Sequence, residues 1–281
     1  MMEICRAEHI AVGSEILLGQ IANGHARSIS LALAAEGFHL FHHSAVGDNM
    51  DRIVREFSQA AGRSNVVLVT GGLGPTGDDL TKEALAQFLG LPLEVSAEAT
   101  IHLDRYFANR NKPMPEENRK QALCLQGGSI LPNPNGTAPG QYITYAGVHY
   151  FLLPGPPLEM VPMLELEVLP RLRQIFGHQQ VLVSRVLHFC GIGESEVDEN
   201  VQDLTVAMNP TLAPLAGEGE MLLRITASAE TDDEARTLID PVERELRKRF
   251  GNFIYGMNED TLPIAVGRVL SHLGASVSLA E

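Results

Sequence analysis

Positive charge is scarce in this sequence: Lys and Arg number 21 against 35 Asp and Glu, a formal net charge of -14 at pH 7. A surface of that sign repels phosphate backbones and offers no source for the counterion release that drives nucleic-acid association, so nucleic acid is not an expected partner. Cysteine is also scarce. Cys5, Cys124 and Cys190 are odd in number and widely spaced, which fits neither a disulfide framework nor a zinc knuckle and points to a reducing cytoplasm. The first residues carry Glu3, Arg6 and Glu8 without a long apolar run, so neither a signal peptide nor a membrane anchor is expected. Three familiar catalytic patterns are missing too: no Gly-Lys-Ser/Thr of a P-loop, no H-E-x-x-H, and no G-x-S-x-G elbow.

What is present is an ordinary globular composition, 44% hydrophobic and 20% charged, enough to bury a sizeable core. At about 150 residues per domain, 281 residues accommodate two units and a fragment. From Ala7 to Leu89 short β-rich runs alternate with helical stretches: Ala7–Val12, Asn23–Glu36, His39–Val46, Met50–Ala61, Val66–Thr70 and Leu80–Leu89. That rhythm predicts βαβ units, a parallel sheet covered by helices, and a ligand site outside the carboxyl ends of the strands. Ser96 reads as the cap of a helix through Asn109, Pro115-Glu116-Glu117 as a further helix start, and Ala146-Gly147 as the turn of a hairpin.

A long helix from about Leu158 to Phe176, with Pro162 and Pro170 restricting or kinking it, closes the first unit at Gly177-His178. A smaller α+β module is expected next: strand Val181–Cys190, helix Glu194–Leu204, strand Glu220–Ala227, helix Asp232–Arg249 and strand Phe253–Tyr255. The tail holds a helix, Leu262–Leu273, and a strand-like Ser276–Leu279. The boundaries so read are 1–177, 178–258 and 259–281.

The loop from Thr70 to Thr81 carries most of the chemistry. Gly71, Gly72, Gly74 and Gly77 with Pro75 allow a tight turn and close backbone approach to a ligand, and the following helix aims its N–H groups there, a layout that cradles phosphate. Asp78 and Asp79 at that helix start would repel a bare phosphate unless a divalent cation lies between; each reads equally as a helix cap. Asp48, opening a helix after another strand, has the same two readings, and Glu15 reads as a helix-start residue or as a further acid on this edge beside Gly13 and Ser14. The loop Pro132–Gly140 presents Asn133, Gly136 and Thr137 to ribose or phosphate, or is a proline-stiffened connector. Pro154–Pro157 with Gly155 frames a pocket or breaks a strand. In the polar run Asn118–Gln121, Arg119 or Lys120 faces phosphate or simply solvent. His39, His42 and His43 lie in or beside a strand, and no metal is assigned to them.

Taken in order, Val12–Ile21, Val46–Asn49, Thr70–Thr81, Asn118–Ala122, Asn133–Gly140 and Leu153–Pro157 resemble the motif series of the CinA family, the competence/damage-inducible proteins, and Gly191–Ser195 and Asn209–Thr211 extend the likeness. The resemblance implies a three-layer α/β sandwich of the molybdopterin-binding (MoaB/Mog) type followed by a smaller α+β domain. It implies a cytoplasmic pyrophosphatase that hydrolyses ADP-ribose to AMP and ribose 5-phosphate in pyridine nucleotide recycling, with Mg, Mn or Co as the metal. A non-catalytic molybdopterin or nucleotide-binding module is the alternative. On this basis Asp48, Asp78 and Asp79 are the expected catalytic acids, Asp48 and Asp79 holding the metal. The expected substrate contacts are Gly13, Ser14, Glu15, Gly71, Gly72, Gly74, Thr76, Asn118, Asn133, Gly136, Thr137 and Gly155. A homodimer is the expected assembly.

Bifunctional members carry a carboxy-terminal nicotinamide mononucleotide deamidase with an Ala-Glu-Ser-Cys-Thr-Gly-Gly motif. This chain ends at Ala280-Glu281, so it is expected to lack most of that domain and its activity. One departure stands out: Asn23-Gly24-His25 occupies a place where the family usually shows Asn-Thr-Asn.

Overall fold

In the run Arg6–Val12, which forms strand β1, every residue after the first is buried, as a strand covered by helices on both faces requires. The computed structural model describes residues 4–177, 180–216 and 220–278, and they form two units divided between residues 179 and 180.

In the first unit β1 pairs in parallel with β2 (His39–Val46) and β3 (Val66–Thr70). Further along the chain come the short antiparallel pair β4 (Leu93–Val95) and β5 (Leu123–Leu125), then β6 (Ser129–Leu131), β7 (Gly140–Tyr145) and β8 (Val148–Leu153). The main sheet has the order β2-β1-β3-β8-β7-β6. β8 joins β3 in parallel, and β7 and β6 continue it antiparallel. Successive residues of β3 face opposite layers. Val67 and Val69 pack with Ile53, Phe57 and Leu85, whereas Val66 and Leu68 pack with Ile29, Leu33 and Leu172. The result is a three-layer sandwich with one apolar core on each side of the sheet. The hairpin at Ala146-Gly147 forms, and Ser96 caps Ala97–Ala108 by accepting from the Ala99 amide. The segment Glu116–Ala122 is a single 3₁₀ helix.

The long helix runs as Pro157–Met163, a π turn Leu164–Val168, and Leu169–Phe176. Its prolines explain the irregularity, because Pro162 and Pro170 offer no N–H to the preceding turn. The Leu158 carbonyl, deprived of its donor at Pro162, accepts instead from Asn135 Nδ2 at 2.8 Å.

The second unit is an antiparallel sheet with the order β10 (Thr211–Ala216), β11 (Met221–Ala229), β9 (Val181–Phe189), β12 (Ile254–Met257). The helix Asp232–Phe250 lays Ala235, Ile239, Leu246 and Phe250 on Leu187, Phe189, Leu223 and Ile225. The sequence reading missed β10. It also joined Glu194–Leu204 into one helix, where two short ones form, Glu194–Glu199 and Gln202–Thr205. The expected tail strand is absent over 276–278; Leu279, Ala280 and Glu281 lie outside the described residues, as does His178. The helix Leu262–Leu273 forms but buries none of its residues. Among the described residues no helix is long and apolar enough to cross a membrane.

Candidate active site

Four parallel strands end at one edge, and their loops enclose a crevice of about 750 Å³. The glycine loop can sit there only because it lacks side chains. Gly71 has φ +93°, and a Cβ on it would stand 2.2 Å from the Val12 carbonyl oxygen at the end of β1. Gly72 has φ +66°, and its Cβ would meet Thr81 Oγ1 at 2.2 Å. The loop is pinned by Gly71 N–H donating to the Leu153 carbonyl at 3.0 Å and by Thr81 Oγ1 donating to the Gly71 carbonyl at 2.8 Å. Backbone from β1, β3 and β8 is thereby brought together at the crevice floor.

None of the three aspartates is a helix cap. Asn49, next to Asp48, caps Met50–Ala61 by accepting from the Arg52 amide, and the residue at the cap position before Thr81–Leu89 is Leu80, which makes no side-chain cap bond. Asp48 Oδ2 accepts the Ser14 amide at 2.8 Å and its own amide donates to Ser14 Oγ at 3.2 Å, tying the ends of β1 and β2 together. Asp79 Oδ2 accepts both the amide of Thr76 at 2.9 Å and its hydroxyl at 2.5 Å. The Thr76 side chain, the Asp78 backbone amide and the charge of Lys120 hold the Asp78 carboxyl below the usual range. Thr76 has a single hydroxyl proton, and its donation is to Asp79.

Lys120 does not reach into the crevice as a phosphate ligand. Its ammonium donates to the carbonyls of Thr76 (3.0 Å) and Asp79 and pairs with Glu83 at 3.5 Å, clamping the far side of the loop. Arg119 is exposed and paired with Glu116. Beneath them the buried Lys82 donates to the Lys120 carbonyl at 2.8 Å, and burial pushes its pKa down to about 8.

Of the sequence-predicted residues, Gly13, Glu15, Asp48, Gly71, Gly72, Gly74, Thr76, Asp78, Asp79, Thr137 and Gly155 all line this one crevice. Ser14, Asn118, Asn133 and Gly136 do not. Asn118 is buried in the 3₁₀ helix and donates to Gln121, whose side chain does reach the crevice and donates to the Leu73 carbonyl. Asn133 is buried behind its loop. Its Nδ2 donates to Glu159 at 2.7 Å and to the Ala138 carbonyl at 2.8 Å, and its Oδ1 accepts the amides of Asn135 and Gly136. These two residues shape the wall rather than form it.

Sequence reasoning missed Gln121, Glu159 and His25 on the lining. Glu159 sits in the first turn of the helix Pro157–Met163 and is brought in by Asn133; no local signal marks it. His25 was visible only as part of the departure at 23–25. Its Nδ1 lies 3.1 Å from Thr70 Oγ1, and the same hydroxyl is 2.9 Å from Nε2 of the buried His9. Burial lowers the pKa of His9 to about 3, with the charges of His43 and His25 adding to it. Burial also lowers those of His25 and His43, against a backbone hydrogen bond at Gly155 that raises His25.

Residues 8–174 match the family described as the probable molybdopterin binding domain, and residues 184–256 match the damage-inducible protein CinA KH domain. The chain is 46% identical over 276 residues to a competence-damage inducible protein of Geobacillus kaustophilus, covering 98% of this chain and 67% of that one. The chain belongs to the CinA family. A second relative, from Geobacillus sp. strain WCH70, is 45% identical over 276 residues, with 98% and 66% covered. The chain thus spans about two thirds of the length of these relatives. A solved structure of the protein CinA, of unknown function, from Thermoplasma acidophilum superposes with a TM-score of 0.54 at 32% identity, covering 58% of this chain and 95% of that one. The first unit of this CinA chain has the molybdopterin-binding (MoaB/Mog) fold, with the smaller KH unit behind it in sequence.

Proposed function

We propose that the crevice hydrolyses the diphosphate of a nucleotide, with ADP-ribose as substrate and AMP and ribose 5-phosphate as products, a step of pyridine nucleotide recycling in the cytoplasm. The observation that carries this reading is a main-chain glycine loop and several carboxylates sharing one crevice. Loops without side chains admit phosphate oxygens close to backbone N–H groups, while carboxylates beside phosphate call for a cation between them.

The residues fit such a cation. Asp48 and Asp79 each engage the protein through Oδ2, leaving Oδ1 without a hydrogen bond from the described residues. Hard oxygen donors suit Mg²⁺ or Mn²⁺, with Co²⁺ also accepted. Among the described residues no three acidic, His or Cys side chains gather closely enough to hold a metal unaided, so in this reading substrate phosphates complete the coordination. When bound, the metal neutralises the diphosphate and lowers the pKa of a water. The protein's part is to fix Asp48 through Ser14, fix Asp79 through Thr76, and hold the Gly71-Gly72 backbone against the phosphates. Nucleic acid is not assigned as a partner: the two short helices of the KH unit are joined at Asn200-Val201, without the glycine-rich loop by which KH domains clamp a nucleic-acid backbone.

Purified protein incubated with ADP-ribose and Mg²⁺, Mn²⁺ or Co²⁺ is expected to release AMP. The match to a molybdopterin-binding family favours one alternative, a binding module without turnover, and saturable binding with no AMP under any of the metals selects it. A homodimer is the assembly proposed for the protein, with light scattering as its test.

A further inference from the structure

Five polar side chains with no place in the proposed chemistry run in series from the crevice wall to the surface. His25 Nδ1 meets Thr70 Oγ1 at 3.1 Å, Thr70 Oγ1 meets His9 Nε2 at 2.9 Å, and His9 Nδ1 meets His43 Nδ1 at 3.1 Å. His43 Nε2 then meets Ser30 Oγ at 2.9 Å. The inner members are buried, Thr70 at 1% exposure and His9 at 0%. His25 lines the crevice at one end, and His43 at the other is exposed on the edge strand β2.

Counting protons constrains what this chain can be. Two Nδ1 atoms at 3.1 Å form a hydrogen bond only when one carries a proton and the other does not. Thr70 has one hydroxyl proton for two ring nitrogens, so it donates to one ring and accepts from the other. With all three rings neutral, the links are satisfied together in just two senses. In one sense donation runs from Ser30 through His43, His9 and Thr70 to His25; in the other it runs the opposite way. The two differ by the shift of one proton across every link. Neutral rings are also what the setting favours, since His25 lies in the first turn of the helix Gly24–Ala35, where positive charge is opposed by the helix dipole. The carboxylates on the crevice, Glu15, Asp48, Asp78, Asp79 and Glu159, make no hydrogen bond to any member of the chain.

We propose that His25 exchanges a proton with the occupant of the crevice and that Thr70, His9, His43 and Ser30 carry it to solvent. This deepens the hydrolase reading and rests on it for the source of the proton. As water attacks, its oxygen bonds to phosphorus, the bridging P–O bond breaks with its electron pair leaving on the departing phosphate, and a water proton passes to His25 Nε2. His25 Nδ1–H then moves to Thr70, the Thr70 hydroxyl proton to His9 Nε2, the His9 Nδ1 proton to His43, and the His43 Nε2 proton to Ser30, which releases one to solvent. Each group ends neutral, and the chain resets as the departing phosphate oxygen takes the His25 Nε2 proton while every link shifts back and Ser30 draws one proton from solvent. Thr70, His9 and His43 are positioning residues that act through His25.

Two measurements on the whole chain decide it. The first needs no substrate: ¹⁵N ring spectra of labelled histidines report tautomer directly. Thr70→Val is expected to change the His25 and His9 spectra, Thr70→Ser to keep them, and His43→Gln to change His25 from three links away. An unchanged His25 in His43→Gln overturns the chain. The second is turnover of ADP-ribose with Mg²⁺. Thr70→Val is expected to lower kcat at least tenfold with KM within twofold, Thr70→Ser to restore most of it, and wild-type kcat in Thr70→Val overturns the relay. If the wild type releases no AMP while His25 still responds to His43→Gln, the hydrolase reading falls and the hydrogen-bonded chain stands.

Discussion

The two units of this chain hold their sheets in opposite ways, and among the described residues the large crevice belongs to the first. In the first, β2, β1, β3 and β8 run parallel, so four carboxyl ends and their loops converge on one edge. In the second, every neighbour is antiparallel, so adjacent strands send their ends to opposite edges and no set of loops is gathered. The void found there is about 10 Å³ and lined by apolar side chains such as Val197, Val201 and Leu223. A polar concavity follows from strand direction before any particular residue is chosen.

The contrast is most easily broken at the glycines. Gly71→Ala adds a Cβ into the Val12 carbonyl at a positive φ and is expected to cost at least about 3 kcal/mol in denaturant unfolding of the first unit. Gly251→Ala, also at positive φ (+47°) but with nothing within 4 Å, is expected to cost the second unit only about 1 kcal/mol. Equal costs at the two sites would show that the close approach at the crevice floor is not tight. Next in size is Asp79→Asn, for which AMP release should fall about a hundredfold, roughly 2.7 kcal/mol of barrier. Asp203→Asn, which breaks an exposed pair with Arg249, should leave release unchanged and stability little altered.

Acid separates the units more gently. His9, His25 and His43 are held neutral in the first unit, so below about pH 6.5 the unfolded chain binds protons that the folded one refuses and stability falls as pH drops. For His9 the slope is about 1.4 kcal/mol per pH unit, continuing toward pH 3. In the second unit Asp203 and Glu243 have lowered pKa values, Asp203 chiefly through its bond with Arg249 and Glu243 through Arg247 and Arg185, which outweigh its own burial. Their contribution is complete above the unfolded carboxylate pKa and is lost only as pH falls below about 4. Hydrogen-exchange mass spectrometry between pH 7 and 4.5 should therefore show protection falling in residues 4–177 first. Asn135→Ala is expected to cost about 1 kcal/mol for the lost bond to the Leu158 carbonyl, read as a lower melting temperature.

Much of this was legible in the sequence because it depends on local period and on turn residues. The alternation from Ala7 to Leu89 and the glycines at 71, 72 and 74 announce the parallel sheet and its loop. What stayed hidden depends on tertiary neighbours. Asp48 and Asn49 are both competent caps, and only the fold shows that Asn49 takes the task. Glu159 and Gln121 reach the crevice from elements whose local patterns carry no mark of a site, while Asn118 and Asn133 turn inward to partners near them in the chain and beyond. Strand β10 was masked by Pro214, tolerated because β10 lies at the sheet edge. The expected helix Glu194–Leu204 divides because its apolar spacing continues where its backbone does not.

Pro162 silences one backbone donor, and the orphaned Leu158 oxygen recruits a side chain from a loop far away in sequence. The helix thus holds part of the crevice wall through a vacancy in its own ladder. Restoring that rung with Pro162→Ala would give the oxygen a rival donor, so a change that regularises the helix would slacken its grip on the loop carrying Thr137.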